Sequence, residues 1–284
     1  MPEKVVIGSD STSDLNEELL ARYDVKLLPL GVSLGTAQYL DGVDIDPDTI
    51  YRHYEAHKEL PKTSSPSIAA FEDFFAKYTA NGAEMVFFTI SAQMSSTYQH
   101  ARLVAADFPG VHVVDTQNLS TGAGLLVVAA GEMAAAGYSA AQIAGACTEM
   151  VPLVDASFII DDLEFLHKGG RCSAVAAFGA NLLQLKPCIG VREGKMGVVK
   201  KYRGRFAAVL GKYVADRLAD PQSIRTEHIF VTHAGCEPEI IEACVQRVRE
   251  LIPEAEVHVT RAGCTISSHC GRNTLGVLFL HKGA

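Results

Sequence analysis

Short apolar runs alternate with amphipathic stretches through the first half of this chain. Val5-Val6-Ile7 reads as a strand, and 16–23 as a helix with Asp14 as its candidate N-cap. Residues 25–32 are apolar and extended, and Pro29 places them at a sheet edge or makes the strand irregular. Helices are predicted over 48–56 and 67–80, the second with Pro66-Ser67 as its start signal. Residues 85–90 are continuously apolar, as in a strand covered on both faces. A helix over 95–107, a strand over 111–114 and helices over 122–135 and 140–150 follow. The apolar run around 122–136 is too short to cross a bilayer and contains glycines and Glu132, so it suits a buried helix. This β-α alternation predicts a mostly parallel sheet with flanking helices.

The pattern changes near residue 156. A strand over 157–160 and a helix over 174–185 precede two strands, 188–191 and 196–202, that bracket a hairpin turn at Glu193-Gly194. A helix over 206–218, a strand over 229–232, a helix over 238–251 and a strand over 257–259 complete the series. Hairpin and crossover units together suggest an α+β arrangement. The expected fold is therefore α/β in two domains: an N-terminal α/β/α domain with a mostly parallel sheet over 1–155, and a C-terminal α+β domain over 156–284.

Composition narrows the function classes. With 284 residues, 48% hydrophobic and 20% charged, the chain has material for a substantial core and does not read as disordered. A net charge of −8 argues against non-specific nucleic-acid binding, and the absence of Trp with 7% aromatics argues against a stacking platform for single strands. Seven cysteines occur without C-x-x-C spacing, and no leader-like segment precedes the first strand. A reduced, cytoplasmic protein is expected, with each cysteine a small buried hydrophobe. Cys264, His269 and Cys270 lack a matching fourth ligand, so no metal site is expected there. No G-x-S-x-G elbow, Walker loop or G-x-G-x-x-G fingerprint is present.

The polar chemistry lies in clustered hydroxyls. Lys62-Thr63-Ser64-Ser65-Pro66-Ser67 gathers four hydroxyls around one proline, where a helix cap needs one. Ser91-Ala92-Gln93-Met94-Ser95-Ser96-Thr97-Tyr98 and Ser267-Ser268-His269 repeat the theme. Hydroxyls and an imidazole are suitable donors for one carboxylate or phosphate, and no nucleophile motif accompanies them, so the chain reads as a holder of a small anionic head group. Asp10, in Gly8-Ser9-Asp10-Ser11-Thr12-Ser13-Asp14 after the first strand, leaves a magnesium-dependent phosphotransferase or phosphatase as an alternative. Residues 186–205 hold seven basic residues against one acidic, and Lys168-Gly169-Gly170-Arg171 is a basic glycine loop. Such a stretch in an acidic chain leaves a ligand-free protein adaptor as a third reading.

Six of these segments, in order along nearly the whole chain, resemble the DegV family of bacterial fatty-acid-binding proteins. They are 9–15 (its D-S-T-x-D-L), 62–67 (T-S-Q-P-S), 90–99 (S-S-x-L-S-G-T-Y-Q), Asp115-Thr116-Gln117-Asn118, 163–171 (L-x-x-L-x-x-G-G-R) and 202–205 (R-G-R). The resemblance implies a two-domain α/β protein with a long-chain fatty acid in its core and no cofactor. It further implies a non-catalytic subunit that presents the carboxylate to a separate ATP-binding kinase subunit for acyl phosphate formation, with passing contact to a membrane surface during lipid exchange. By match to the motifs, Thr63, Ser95 and His269 would hold the carboxylate, and Arg171, Arg203 and Arg205 would face the kinase subunit or the phosphate. Three departures stand out: Ser96 replaces the glycine of S-G-T, Ser65 replaces the usual Gln, and His269-Cys270-Gly271-Arg272-Asn273 replaces H-T-G-P-G. They bear on the shape of the entrance and leave the head-group donors in place.

Overall fold

The computed structural model describes residues 5–172 and 185–283. The helix expected over 174–185 lies outside the described residues, apart from Leu185, which opens a strand. Strands β1 (Val5–Asp10), β2 (Lys26–Leu28), β6 (Glu84–Thr89) and β7 (Val111–Asp115) make a parallel sheet in the order β2-β1-β6-β7. A small antiparallel sheet, unforeseen from the sequence, is built from β3 (Gly31–Leu34), β4 (Ala37–Leu40) and β5 (Lys62–Ser64) in the order β4-β3-β5. The extended segment expected over 25–32 is therefore two strands in two sheets. Pro29, with no N–H for a ladder, sits at the break.

The second large sheet has the order β10-β9-β8-β13-β11-β12. Its strands are β8 (Val154–Ile160), β9 (Leu185–Arg192), β10 (Lys195–Arg203), β11 (Ile229–Ala234), β12 (Val257–Arg261) and β13 (Thr274–Leu280). The β11–β12 pair is parallel and the other pairs are antiparallel. The hairpin turn stands where expected: Glu193 (φ 48°) and Gly194 (φ 77°) both take the left-handed conformation that a two-residue turn with native strand twist requires. The sequence reading omitted β13, although all seven of its residues are buried.

Ten helices are described: α1 (Glu17–Arg22), α2 (Pro47–His57), α3 (Ile68–Thr79), α4 (Thr97–Ala105), α5 (Thr121–Ala135), α6 (Ala140–Met150), α7 (Glu164–Gly169), α8 (Phe206–Arg217), α9 (Pro238–Leu251) and α10 (Cys264–Cys270). The cap of α1 is Asn16, whose side chain accepts from the Leu19 N–H; Asp14, the expected cap, is buried and engaged elsewhere. Ser67 caps α3 as expected, accepting from the Ala70 N–H. None of these helices is long and apolar enough to cross a membrane.

Helices α3 and α4 cover one face of the parallel sheet through Phe71, Phe75, Ala101 and Val104. Helix α5 packs on its other face and also reaches the second sheet, where Phe230 and Leu278 join the same cluster. That double contact explains why α5 is apolar on nearly every side, Glu132 apart. Gly131 lets it lie against Tyr23, whose ring stands 2.6 Å from where a Cβ would be. Helices α8 and α9 close the far face of the second sheet through Tyr213, Val214, Val245 and Val248. All seven cysteines are buried.

Candidate functional site

A cavity of about 280 Å³ lies where the strand ends of the parallel sheet meet the second sheet and α10. Single-ligand pockets run from about 300 to 1,000 Å³, so this cavity, at the lower limit, suits one slender ligand. Its buried walls are largely apolar, with Ile90 beyond β6, Phe158 of β8, Leu166 of α7, Ala234 of β11 and Leu278 of β13, and they also carry the buried hydroxyls of Ser120, Thr232, Thr265 and Thr274. Its solvent-facing lining is polar, with Ser64, Ser96 and Arg171 exposed. The cavity thus has hydroxyls and one cation at the rim and a largely apolar interior with a few buried hydroxyls.

Three residues singled out from the sequence line this cavity together. Thr63 Oγ1, on β5, is 2.8 Å from His269 Nε2 on α10, across 206 residues of chain. Ser95 Oγ is 2.8 Å from Thr97 Oγ1, in the turn that precedes α4. Helix α4 therefore starts two residues later than expected, and Ser95 is freed to line the cavity. Burial, with the Arg171 guanidinium second, pushes the His269 imidazole down from 6.5 to about 4, so it is neutral at pH 7. Its Nδ1 is buried without a partner.

The glycine pair before Arg171 has two physical explanations. Gly170 takes φ 70° and ends α7 in the left-handed conformation. Gly169 lies against the imidazole: a Cβ there would stand 2.6 Å from His269 Nδ1. Arg171 itself lines the cavity and donates from Nη1 to the Gly169 carbonyl (2.8 Å). Arg203 ends β10 and Arg205 precedes α8; neither is among the lining residues. Within the basic stretch, Lys186 pairs with Asp161 (2.5 Å) and Lys200 with Asp216 (2.6 Å), so part of its charge is neutralised locally.

Two departures from the family pattern meet each other. Ser65 Oγ and Ser96 Oγ are 2.9 Å apart at the rim. The side chain added at 96 is partnered by the shorter one at 65. Arg272 lies over the Tyr51 ring (4.8 Å) and beside Glu55 (3.7 Å), and it does not line the cavity.

The acidic loop after β1 braces the cavity wall. Asp10 is 1% exposed. One of its oxygens accepts from the Thr12 N–H (3.0 Å) and hydroxyl (2.6 Å), the other from the Ile90 N–H (2.7 Å). A carboxylate this buried and held by three donors is poorly placed to reach magnesium or a phosphorus atom, which argues against the alternative built on Asp10. Asp14 accepts from Ser120 Oγ (2.5 Å) and the Gly263 N–H (2.8 Å). Asp41, which the sequence reading did not single out, accepts from the Cys264 (2.7 Å) and Thr265 (3.1 Å) N–H groups at the start of α10. Ile90, Ser120 and Thr265 all line the cavity, so each carboxylate fixes one part of its wall. Burial raises Asp10 to about 6 and pushes Asp14 well above the ordinary carboxylate range.

A DegV domain-containing protein of Clostridium acetobutylicum is 32% identical over 286 residues, covering 99% of both chains. The solved structure of a fatty-acid-binding DegV family protein from Thermus thermophilus superposes with a TM-score of 0.89 at 29% identity, over 98% of this chain and 100% of that one. A stearic-acid-binding protein from Eubacterium ventriosum superposes with a TM-score of 0.83 at 27% identity, over 97% and 98%. The family model described as "Uncharacterised protein, DegV family" matches residues 4–282, and with this agreement in sequence and fold the chain belongs to the DegV family.

Proposed function

We propose that this protein binds one long-chain fatty acid in the cavity, with the carboxylate among Thr63, Ser95 and His269, and presents that carboxylate to a separate ATP-binding kinase subunit for acyl phosphate formation. The observation that carries the reading is the pairing of a largely apolar interior with a cluster of neutral hydrogen-bond groups and one arginine at its rim. Burying roughly 14 methylenes at ~0.8 kcal/mol each supplies ~11 kcal/mol gross, from which association and ordering costs are subtracted. A carboxylate leaving water needs hydrogen bonds on its oxygens. With the His269 proton on Nε2, the imidazole donates to Thr63 Oγ1 and the Thr63 hydroxyl is free to donate onward to the ligand.

The protein in this reading is non-catalytic and cytoplasmic, with its two lobes divided near residue 155 and the acyl chain held between them. Arg171 at the rim faces the kinase subunit or the incoming phosphate, while Arg203 and Arg205, away from the cavity, contact the kinase subunit. The relatives described as fatty-acid-binding support the ligand class. Solvent extraction and mass spectrometry of purified protein should find saturated or monounsaturated fatty acid at about one per chain. Absence of lipid, together with no binding of added palmitate or oleate, refutes the proposal. Retained lipid that a purified kinase subunit and ATP leave unphosphorylated refutes the presentation step alone.

A further inference from the structure

A second constellation lies at the edge of the second sheet, on residues that the cavity does not use. His228 immediately precedes β11, Glu256 immediately precedes β12, and His258 is the second residue of β12. The register places Ile229 opposite Val257 and Phe230 opposite His258, and the Ile229 N–H donates to the Glu256 carbonyl (2.9 Å). Side chains alternate along a strand, so His228, Glu256 and His258 project from the same face.

Their ligand atoms all lie within 4.8 Å of one another. His228 Nδ1 stands 2.9 Å from His258 Nε2, and Glu256 Oε1 stands 3.5 Å from the same His258 nitrogen. The other nitrogen of His228, Nε2, is 2.9 Å from Glu132 Oε1 on α5. The imidazoles are shielded, with side-chain exposures of 12% for His228 and 8% for His258, whereas Glu256 is 50% exposed and leaves a route from solvent. The His258 ring is further fixed by the Phe230 ring at 5.1 Å.

We propose that His228, His258 and Glu256 bind a divalent transition-metal ion, zinc(II) by the character of the donor set, with Glu132 orienting His228. Two imidazoles and one carboxylate with an open fourth position for water are a recognised zinc ligand set. Nitrogens held at about 2.0–2.1 Å by a tetrahedral ion stand about 3.4 Å apart, so the rings need to separate by only about half an ångström. When Nδ1 of His228 ligates, its Nε2–H donates to Glu132, the carboxylate–histidine–metal arrangement that fixes a tautomer and raises ligand basicity. Arg22 is the local competitor: its Nη1 lies 3.4 Å from Glu256 Oε1, but its Nη2 already holds Glu18 at 2.7 Å. An ion arriving on Glu256 leaves Arg22 paired with Glu18. The bound ion would clip β11 and β12 to α5 through Glu132, away from the lipid site.

Cobalt(II) titration of the full-length, chelator-treated protein, followed by zinc displacement, tests this. One equivalent should bind, with visible d–d bands, no thiolate charge-transfer band, and loss of the signal on zinc addition. Glu256→Gln, at a half-exposed side chain, keeps the fold and should weaken zinc at least tenfold; His228→Gln should do the same, and Glu132→Gln should weaken it by about 10–100-fold. Fatty-acid content should be unchanged in all three variants. No binding at millimolar metal, a thiolate band, or full affinity in both Glu256→Gln and His228→Gln would overturn the assignment.

Discussion

Replacing His269 by glutamine should change how stability depends on pH. Burial and the nearby Arg171 guanidinium lower the imidazole from 6.5 in the unfolded chain to about 4 in the fold. Between those values the unfolded chain binds a proton that the folded chain refuses. The neutral ring's contribution is therefore complete above about pH 6.5 and is lost as pH falls towards 4. At about 1.36 kcal/mol per pH unit, the whole window is worth roughly 3 kcal/mol, and roughly 2 kcal/mol of it falls between about pH 7 and pH 5. Asp10 acts in the opposite sense. Burial raises it from 3.8 to about 6, so its contribution is present at low pH and lost as pH rises through that range. The wild-type profile is consequently flattened, and the difference between wild type and His269→Gln isolates the imidazole. Urea unfolding of lipid-free protein at the two pH values measures it. Wild type should lose roughly 2 kcal/mol more than the variant on going from pH 7 to about pH 5. Equal losses in the two proteins would show that the ring keeps its ordinary pKa and that the site is wet. Saturating fatty acid should shrink the difference, because a carboxylate beside the ring favours its charged form.

Thr63→Ala and Ser95→Ala should each weaken fatty-acid binding by about 1–3 kcal/mol, seen by calorimetry; unchanged affinity in both would remove these residues from the head-group site. Gly169→Ala puts a methyl group 2.6 Å from His269 Nδ1, and it should lower fatty-acid affinity more than it lowers the melting temperature; wild-type affinity would show that the ring has room to move. Asp10→Asn turns an amide N–H₂ or a singly accepting oxygen towards the Thr12 and Ile90 donors, and should cost about 1–3 kcal/mol in denaturant unfolding at pH 7, less any relief from removing a buried charge. Arg171→Ala and Arg203→Ala should retain lipid yet lose acyl phosphate formation in a reconstituted assay, and wild-type rates in both would exclude the docking role.

Local physics was legible in the sequence wherever near neighbours settle it. The Ser67 cap, the Glu193-Gly194 hairpin and the helix over Pro238–Leu251 stand where periodicity and turn chemistry placed them. The largely apolar character of 122–136 correctly predicted a buried helix, because a helix with so little polar surface needs cover on most sides. Clustered hydroxyls marked Thr63 and Ser95, since secondary structure alone does not require so many. Tertiary structure decided the rest. Pro29 split one extended run between two sheets, and Asp14 left its place beside α1 to hold Ser120 and Gly263. Asp10 became a brace for Ile90, which a strand-end aspartate could not reveal from its flanking residues. The contacts between Thr63 and His269, and between Ser65 and Ser96, join segments 206 and 31 residues apart. Periodicity states which face of an element is apolar, but not which other face will cover it. That choice is made when the sheets and helices close over one another, and it is there that the cavity and its polar rim acquire their shape.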